Sequence, residues 1–183
     1  LEFLAARPIH TVIMASFIRD NGLESELNRG RFYSYRNREG GLEGVALIGH
    51  ATLFETESEA ALDAFARLVH SSDKVHMIMG EQHKVELLWR HLRRVGRGPH
   101  QVRRELLFEQ RWPVAVQESV PGLRLAGHDD LDVVMTTHAR MAVEEFGLDD
   151  PIAADPDGFP QRYAHRIDQG RVWVLIENGS LVF

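Results

Sequence analysis

A chain of 183 residues, 44% hydrophobic and 26% charged, has an ordinary globular composition and room for one domain, or for one small domain plus part of a second. Its formal net charge of -6 and pI near 5.9 argue against a protein devoted to non-specific nucleic-acid binding. With no cysteine there is no disulfide framework, thiolate nucleophile or Cys-based zinc site, and no apolar run approaches the roughly 18 residues that span a bilayer. No signal peptide opens the chain, and a cytoplasmic home is expected. The first residue is Leu1 rather than Met, which reads as a trimmed end.

Arg7-Pro8 is expected to start a helix, with Ile9, Val12, Ile13 and Phe17 at helical spacing and Asn21-Gly22 as its stop. Arg31 to Arg36 reads as a strand, Asn37 to Gly41 as a turn, and Leu42 to Phe54 as one longer strand bulged at Gly49. Thr56-x-x-Glu59 has the form of a capping box, and the helix behind it buries Leu62, Phe65, Leu68 and Val69. Val75 to Met79 is a short apolar strand. Gln82 to Arg94 is the clearest helix, with Val85, Leu88, Trp89 and Leu92 on one face. Gln101 to Gln110 reads as a strand and Trp112 to Gln117 as a connector at a sheet edge.

The pattern restarts around Val120-Pro121-Gly122, which places a domain boundary between residues 1–119 and 120–183. Leu123 to Ala126 is a strand. Asp129 or Asp130 caps a helix carrying Leu131, Val134, Met135, His138 and Ala142, with Gly147 at its end. After a loop to Gly158, a second helix carries Phe159, Tyr163 and Ile167. Two apolar runs, Arg171 to Glu177 and Ser180 to Phe183, flank Asn178-Gly179, a strong hairpin signal because both residues tolerate positive φ. The fold class expected is α/β (α+β), a mixed and mostly antiparallel sheet flanked by helices, in two related modules. The abrupt end at Phe183 reads as a break partway through a domain.

The order strand, helix, helix, hairpin in residues 120–183 resembles the opening half of the GNAT superfamily of N-acetyltransferases. Leu123-Arg124-Leu125-Ala126, Asp130-Leu131 and Gly170-Arg171-Val172-Trp173-Val174 carry that likeness. The upstream part resembles a domain of unknown function found N-terminal to bacterial GNAT modules. Its matching stretches are Asn28 to Phe32, Leu42 to Thr52, Met77 to Glu81 and Glu105 to Gln110. Its element order also resembles the closing half of a GNAT fold, so that two related units would lie in tandem; a plain α/β domain of other ancestry is the alternative.

The resemblance implies an acetyl-CoA-dependent transfer of an acetyl group to an amine, with acetyl-CoA as co-substrate. The donor would be held by Arg/Gln-x-x-Gly-x-Gly/Ala between a strand and a helix, where backbone N–H groups meet the pyrophosphate. Arg93-Arg94-Val95-Gly96-Arg97-Gly98 matches literally, but it follows a helix and runs into Pro99, so it is rejected. The equivalent upstream slot, Glu55-Thr56-Glu57-Ser58-Glu59, has no glycine and three carboxylates that repel phosphate. The donor half is therefore expected to be missing from these residues, and a non-catalytic GNAT-like binding module is the alternative function.

On the acceptor side the resemblance places Glu144, Glu145, Phe159, Arg162 and Tyr163. The carboxylates would hold a cationic amine and Arg162 a substrate carboxylate. A solvated helix end for the glutamates and a core place for Tyr163 are the competing readings. The partners implied are a small-molecule or protein amine acceptor and a second copy in a homodimer, with no membrane and with nucleic acid disfavoured. The ten histidines show no metal-binding spacing, and Arg90, Arg93, Arg94, Arg97, Arg103 and Arg104 read as a solvated basic helix end.

Overall fold

The structure, a computed structural model, describes residues 1–94, 96, 98–113, 118–147, 149–178 and 180–182, with Phe146 described by its backbone alone. The chain is mixed α/β, as its patterning requires, and it separates into two units, Leu1–Arg111 and Trp112–Phe183.

The first unit opens with α1 (Glu2–Ala5) and α2 (Val12–Asn21). The helix expected from Arg7-Pro8 begins later, because Thr11 is 1% exposed and its hydroxyl donates to the Leu4 carbonyl at 2.7 Å. The inward stripe is therefore Thr11, Met14, Ala15 and Ile18, while Ile9, Val12 and Ile13 are exposed. A polar residue in a buried phase disguised the true face. Gly22, at φ +80, ends α2 as expected.

Four strands follow, β1 (Gly30–Arg36), β2 (Leu42–Gly49), β3 (Ala51–Thr56) and β4 (Met77–Met79), in that spatial order. The first three pair antiparallel and β4 lies parallel to β3. The single strand expected over Leu42 to Phe54 is thus a hairpin, with Ala46 opposite Phe54 and Leu47 opposite Leu53. β2 ends at Gly49, which lies so close to Gly30 of β1 that a Cβ on it would fall 2.2 Å from the Arg29 carbonyl oxygen. The His50 carbonyl then accepts the Met77 N–H at 2.9 Å, which moors β4 to the turn.

α3 (Glu59–Ser71) links β3 to β4, and α4 (Gln82–Arg93) follows. Ser58, not Thr56, caps α3, its hydroxyl accepting the Ala61 N–H, while the Thr56 hydroxyl donates to the Glu43 carbonyl at 2.6 Å. Strand alternation sorts the sheet's side chains to two cores. Ala46, Ile48 and Phe54 meet Leu62, Phe65, Val69, Leu88 and Leu92 on one face. Leu47 and Leu53 meet Leu4, Met14 and Ala15 on the other. The strand expected over Gln101 to Gln110 does not form, and these residues lie exposed. Of the connector expected over Trp112 to Gln117, residues 114–117 lie outside the described residues.

The second unit holds β5 (Arg124–Leu125), α5 (Leu131–Phe146), α6 (Pro151–Ala154), α7 (Gly158–Asp168), β6 (Trp173–Val174), β7 (Ile176–Glu177) and β8 (Ser180–Leu181). Asp130 organises the start of α5: its carboxylate accepts the Gly127 N–H at 2.8 Å and a two-pronged contact from Arg124 at 2.6 and 2.9 Å. That pairing pulls its pKa down to about 2. α6 sits in the expected loop, capped by Asp150 with Pro151 at its first position.

β6 pairs antiparallel with β5, and β7 with β8. The run Arg171 to Glu177 is therefore two short strands broken at Leu175, whose carbonyl accepts the Val182 N–H at 2.8 Å. Asn178 adopts φ +51 at the turn, while Gly179 lies outside the described residues. Ala126, Val134, Ile167 and Val174 form the core, with Tyr163 packed against it.

Candidate functional site

α7 brings three of the five expected acceptor residues together. Phe159 is 6% exposed, and its ring lies 4.8 Å from that of Tyr163. Tyr163 in turn lies 4.9 Å from the ring of His138 on α5, with the Arg166 guanidinium 5.2 Å from its centroid. Desolvation, helped by the Arg166 charge, pulls the His138 pKa below the usual imidazole value.

Arg162 is the centre of this group. Its Nη1 donates to Asp155 at 2.7 Å, and the guanidinium carbon sits 5.8 Å from the Phe159 ring centroid. Asp155 also accepts the Gly158 N–H at 3.0 Å, so one carboxylate ties down both the start of α7 and the arginine. A Cβ at Gly158 would lie 2.7 Å from that carboxylate and 2.8 Å from Arg162 Nη1, so glycine there permits the approach. Nη2 of Arg162 is buried and has no hydrogen-bond partner among the described residues. Leaving such a donor unmade is costly, which makes it a natural receiver for an anionic oxygen.

Glu144 and Glu145 do not join this group in the same way. Both are exposed near the end of α5, and Glu144 lies 3.8 Å from Arg140 one turn back on its own helix. The solvated-end reading fits Glu144, whose side chain is 67% exposed.

The first unit carries a second cluster, which sequence reasoning glimpsed only in part. The parallel pairing of β3 and β4 stops at Leu53 and Met79, and β3 runs on to Glu55 and Thr56. In the notch beyond lies a cleft of about 20 Å³, room for little more than a water, walled by His10, Met14, Phe54, Glu55, Glu81 and Lys84. Lys84 is 2% exposed, and its ammonium donates to Glu55 and, at 2.6 Å, to Glu57. Arg7 reaches Glu81 at 2.5 Å, Glu55 at 3.3 Å and Glu57 at 3.4 Å. The bond to Glu81 raises the Arg7 pKa, Arg7 lowers that of Glu81, and Lys84 lowers that of Glu57.

Of the three carboxylates expected to repel a pyrophosphate, Glu55 and Glu57 are thus occupied by two cations of the chain itself. The one signal for this was Lys84 in the first turn of a helix, where the dipole disfavours a cation unless carboxylates face it. The Arg93 to Gly98 motif has no following helix at Gly98 to His100, and Val95 and Arg97 lie outside the described residues. Among the described residues no three histidine or carboxylate groups gather as a metal centre, and His50 and His76 simply stack at 5.0 Å. No helix among them is long and apolar enough to cross a membrane.

No family model matches the chain, and no curated protein or solved structure matches it either.

Proposed function

We propose that the second unit is the acceptor half of a GNAT-type N-acetyltransferase, and that it receives an amine whose substituents include a carboxylate. The carrying observation is the buried, unpartnered Nη2 of Arg162, fixed by Asp155 and flanked by the rings of Phe159 and Tyr163. A carboxylate there completes a charge-assisted contact, and the rings shield it from water. The pairing of β5 with β6 and of β7 with β8, with α5 and α7 between them in sequence, supports the same reading.

The residues described do not fit acetyl-CoA. The upstream slot is acidic and filled, and the glycines between a strand and a helix among them, Gly80 and Gly127, stand alone rather than in a Gly-x-Gly/Ala loop. No step of the transfer is therefore assigned to these residues beyond gripping and orienting the acceptor.

Calorimetric or NMR titration tests this with matched pairs, amino acids against the corresponding decarboxylated amines. The amino acids should bind, the amines should bind at least about tenfold more weakly, and Arg162→Met should remove the difference. Equal binding of both classes, no binding of either, or unchanged selectivity in Arg162→Met refutes the assignment. The acidic, occupied upstream slot also favours a second reading, a non-catalytic module that recognises the same ligand. Acetyl transfer from labelled acetyl-CoA to the bound amine by the protein as encoded separates the two.

A further inference from the structure

The first unit holds two complementary loose ends. One is the segment after α4. From Val102 to Arg111, Val102, Leu106 and Phe108 fall on one parity together with Arg104 and Gln110, while Arg103, Glu105, Glu109 and Arg111 fall on the other with Leu107. Such alternation is the signature of a half-buried strand. Yet no strand forms here, and the side chains of Val102, Leu106 and Phe108 are 77%, 81% and 83% exposed. Leu107 adds a further apolar group at 62%.

The other loose end is the sheet edge. β4 pairs with β3 on one side and, among the described residues, with nothing on the other. Its three residues, Met77, Ile78 and Met79, are all half-buried, as are Val75, Val85 and Trp89 around the core that Ile78 joins. An open edge bordered by half-covered apolar groups is a template for one more strand.

We infer that Gln101–Gln110 is an exchanged strand, which docks on the outer edge of β4 in a second copy of this chain to build a two-fold dimer. Reciprocal exchange closes both loose ends in both copies at once, as a self-complementary contact must. The link from α4 favours the outward path. Pro99 fixes its own φ and biases Gly98 towards an extended conformation, which works against an immediate fold-back onto the same sheet. The inference concerns the first unit alone and is independent of the acceptor site.

The absence of native cysteine allows a direct test. Ile78→Cys is combined in turn with Leu106→Cys, Leu107→Cys and Phe108→Cys, since strand register is unspecified, and each protein is oxidised mildly. At least one pair should give a disulfide-linked dimer on a non-reducing gel, and light scattering should return twice the chain mass for the parent protein. A disulfide within one chain would show pairing in cis and overturn the exchange, as would a monomeric parent or no cross-link in any pair. Leu106→Lys with Phe108→Lys should weaken dimerisation by about 100-fold or more, the loss of two buried apolar side chains, while leaving the circular dichroism of the monomer unchanged. Dimerisation as tight as the parent's would also overturn it.

Discussion

Replacing Lys84 by Met removes the ammonium and keeps the length of its buried stem. The Lys84 side chain is 3% exposed and that of Glu55 7%, so the substitution strands a buried carboxylate. Breaking one partner out of a buried pair costs about 3–5 kcal/mol. Glu55 keeps Arg7 at 3.3 Å, and Glu57, 76% exposed, can turn to water, so the lower end applies, about 3 kcal/mol. At about 4 °C per kcal/mol for a unit of this size, the midpoint of thermal unfolding should fall by about 12 °C. Trp89 fluorescence isolates the first unit once Trp112 and Trp173, which are 78% and 51% exposed, are replaced by Phe. Adding Glu55→Leu to Lys84→Met should restore most of the loss, because an apolar pair carries no stranded charge. A cost below about 1 kcal/mol for Lys84→Met alone would show that water reaches the cluster and would refute the argument.

Gly49→Ala should destabilise the first unit by about 3 kcal/mol in urea unfolding, because its Cβ meets backbone at 2.2 Å and no rotamer change relieves it. Ser58→Ala should cost about 1 kcal/mol, whereas Glu59→Gln should stay within about 0.5 kcal/mol, since the cap bond belongs to Ser58. For Asp130, the folded pKa of about 2 lies below the unfolded value of 3.8, so its stabilisation is whole above pH 3.8 and drains away as pH falls towards 2. Trp173 fluorescence during denaturant titrations between pH 2 and 6 should show that slope in the parent and its loss in Asp130→Asn.

Elements with a dominant apolar stripe were legible from sequence. α4 and α3 bury the positions their spacing marks, Leu88 and Leu92 in one and Leu62, Phe65 and Val69 in the other. The Asn178 turn also stands where its preference for positive φ puts it. The errors share a physical origin, a local signal overridden by a distant partner. Thr11 reads as polar and is buried because the Leu4 carbonyl satisfies it. Gly49 reads as a bulge within one strand and instead ends β2, pressed against Gly30, before the chain reverses at His50. Gln101 to Gln110 has a strand's alternation, yet no strand forms there.

The candidate site divides along the same line. Phe159, Arg162 and Tyr163 share one helix and were singled out through the family resemblance, whereas the hold on Arg162 through Asp155 depends on how α6 leads into α7. The Lys84–Glu55 pair joins residues 29 positions apart, and no local pattern announces it.

The break at Leu175 sets two timetables for the end of the chain. Below it, Ile176 need only find Leu181 across a tight turn, an event of microseconds. Above it, Trp173 must wait for Leu125, with α5 and α7 wound in the interval, and that closure carries the larger entropic cost. Lesions at Asn178 should therefore slow the acquisition of structure, while lesions at Trp173 should chiefly hasten its loss.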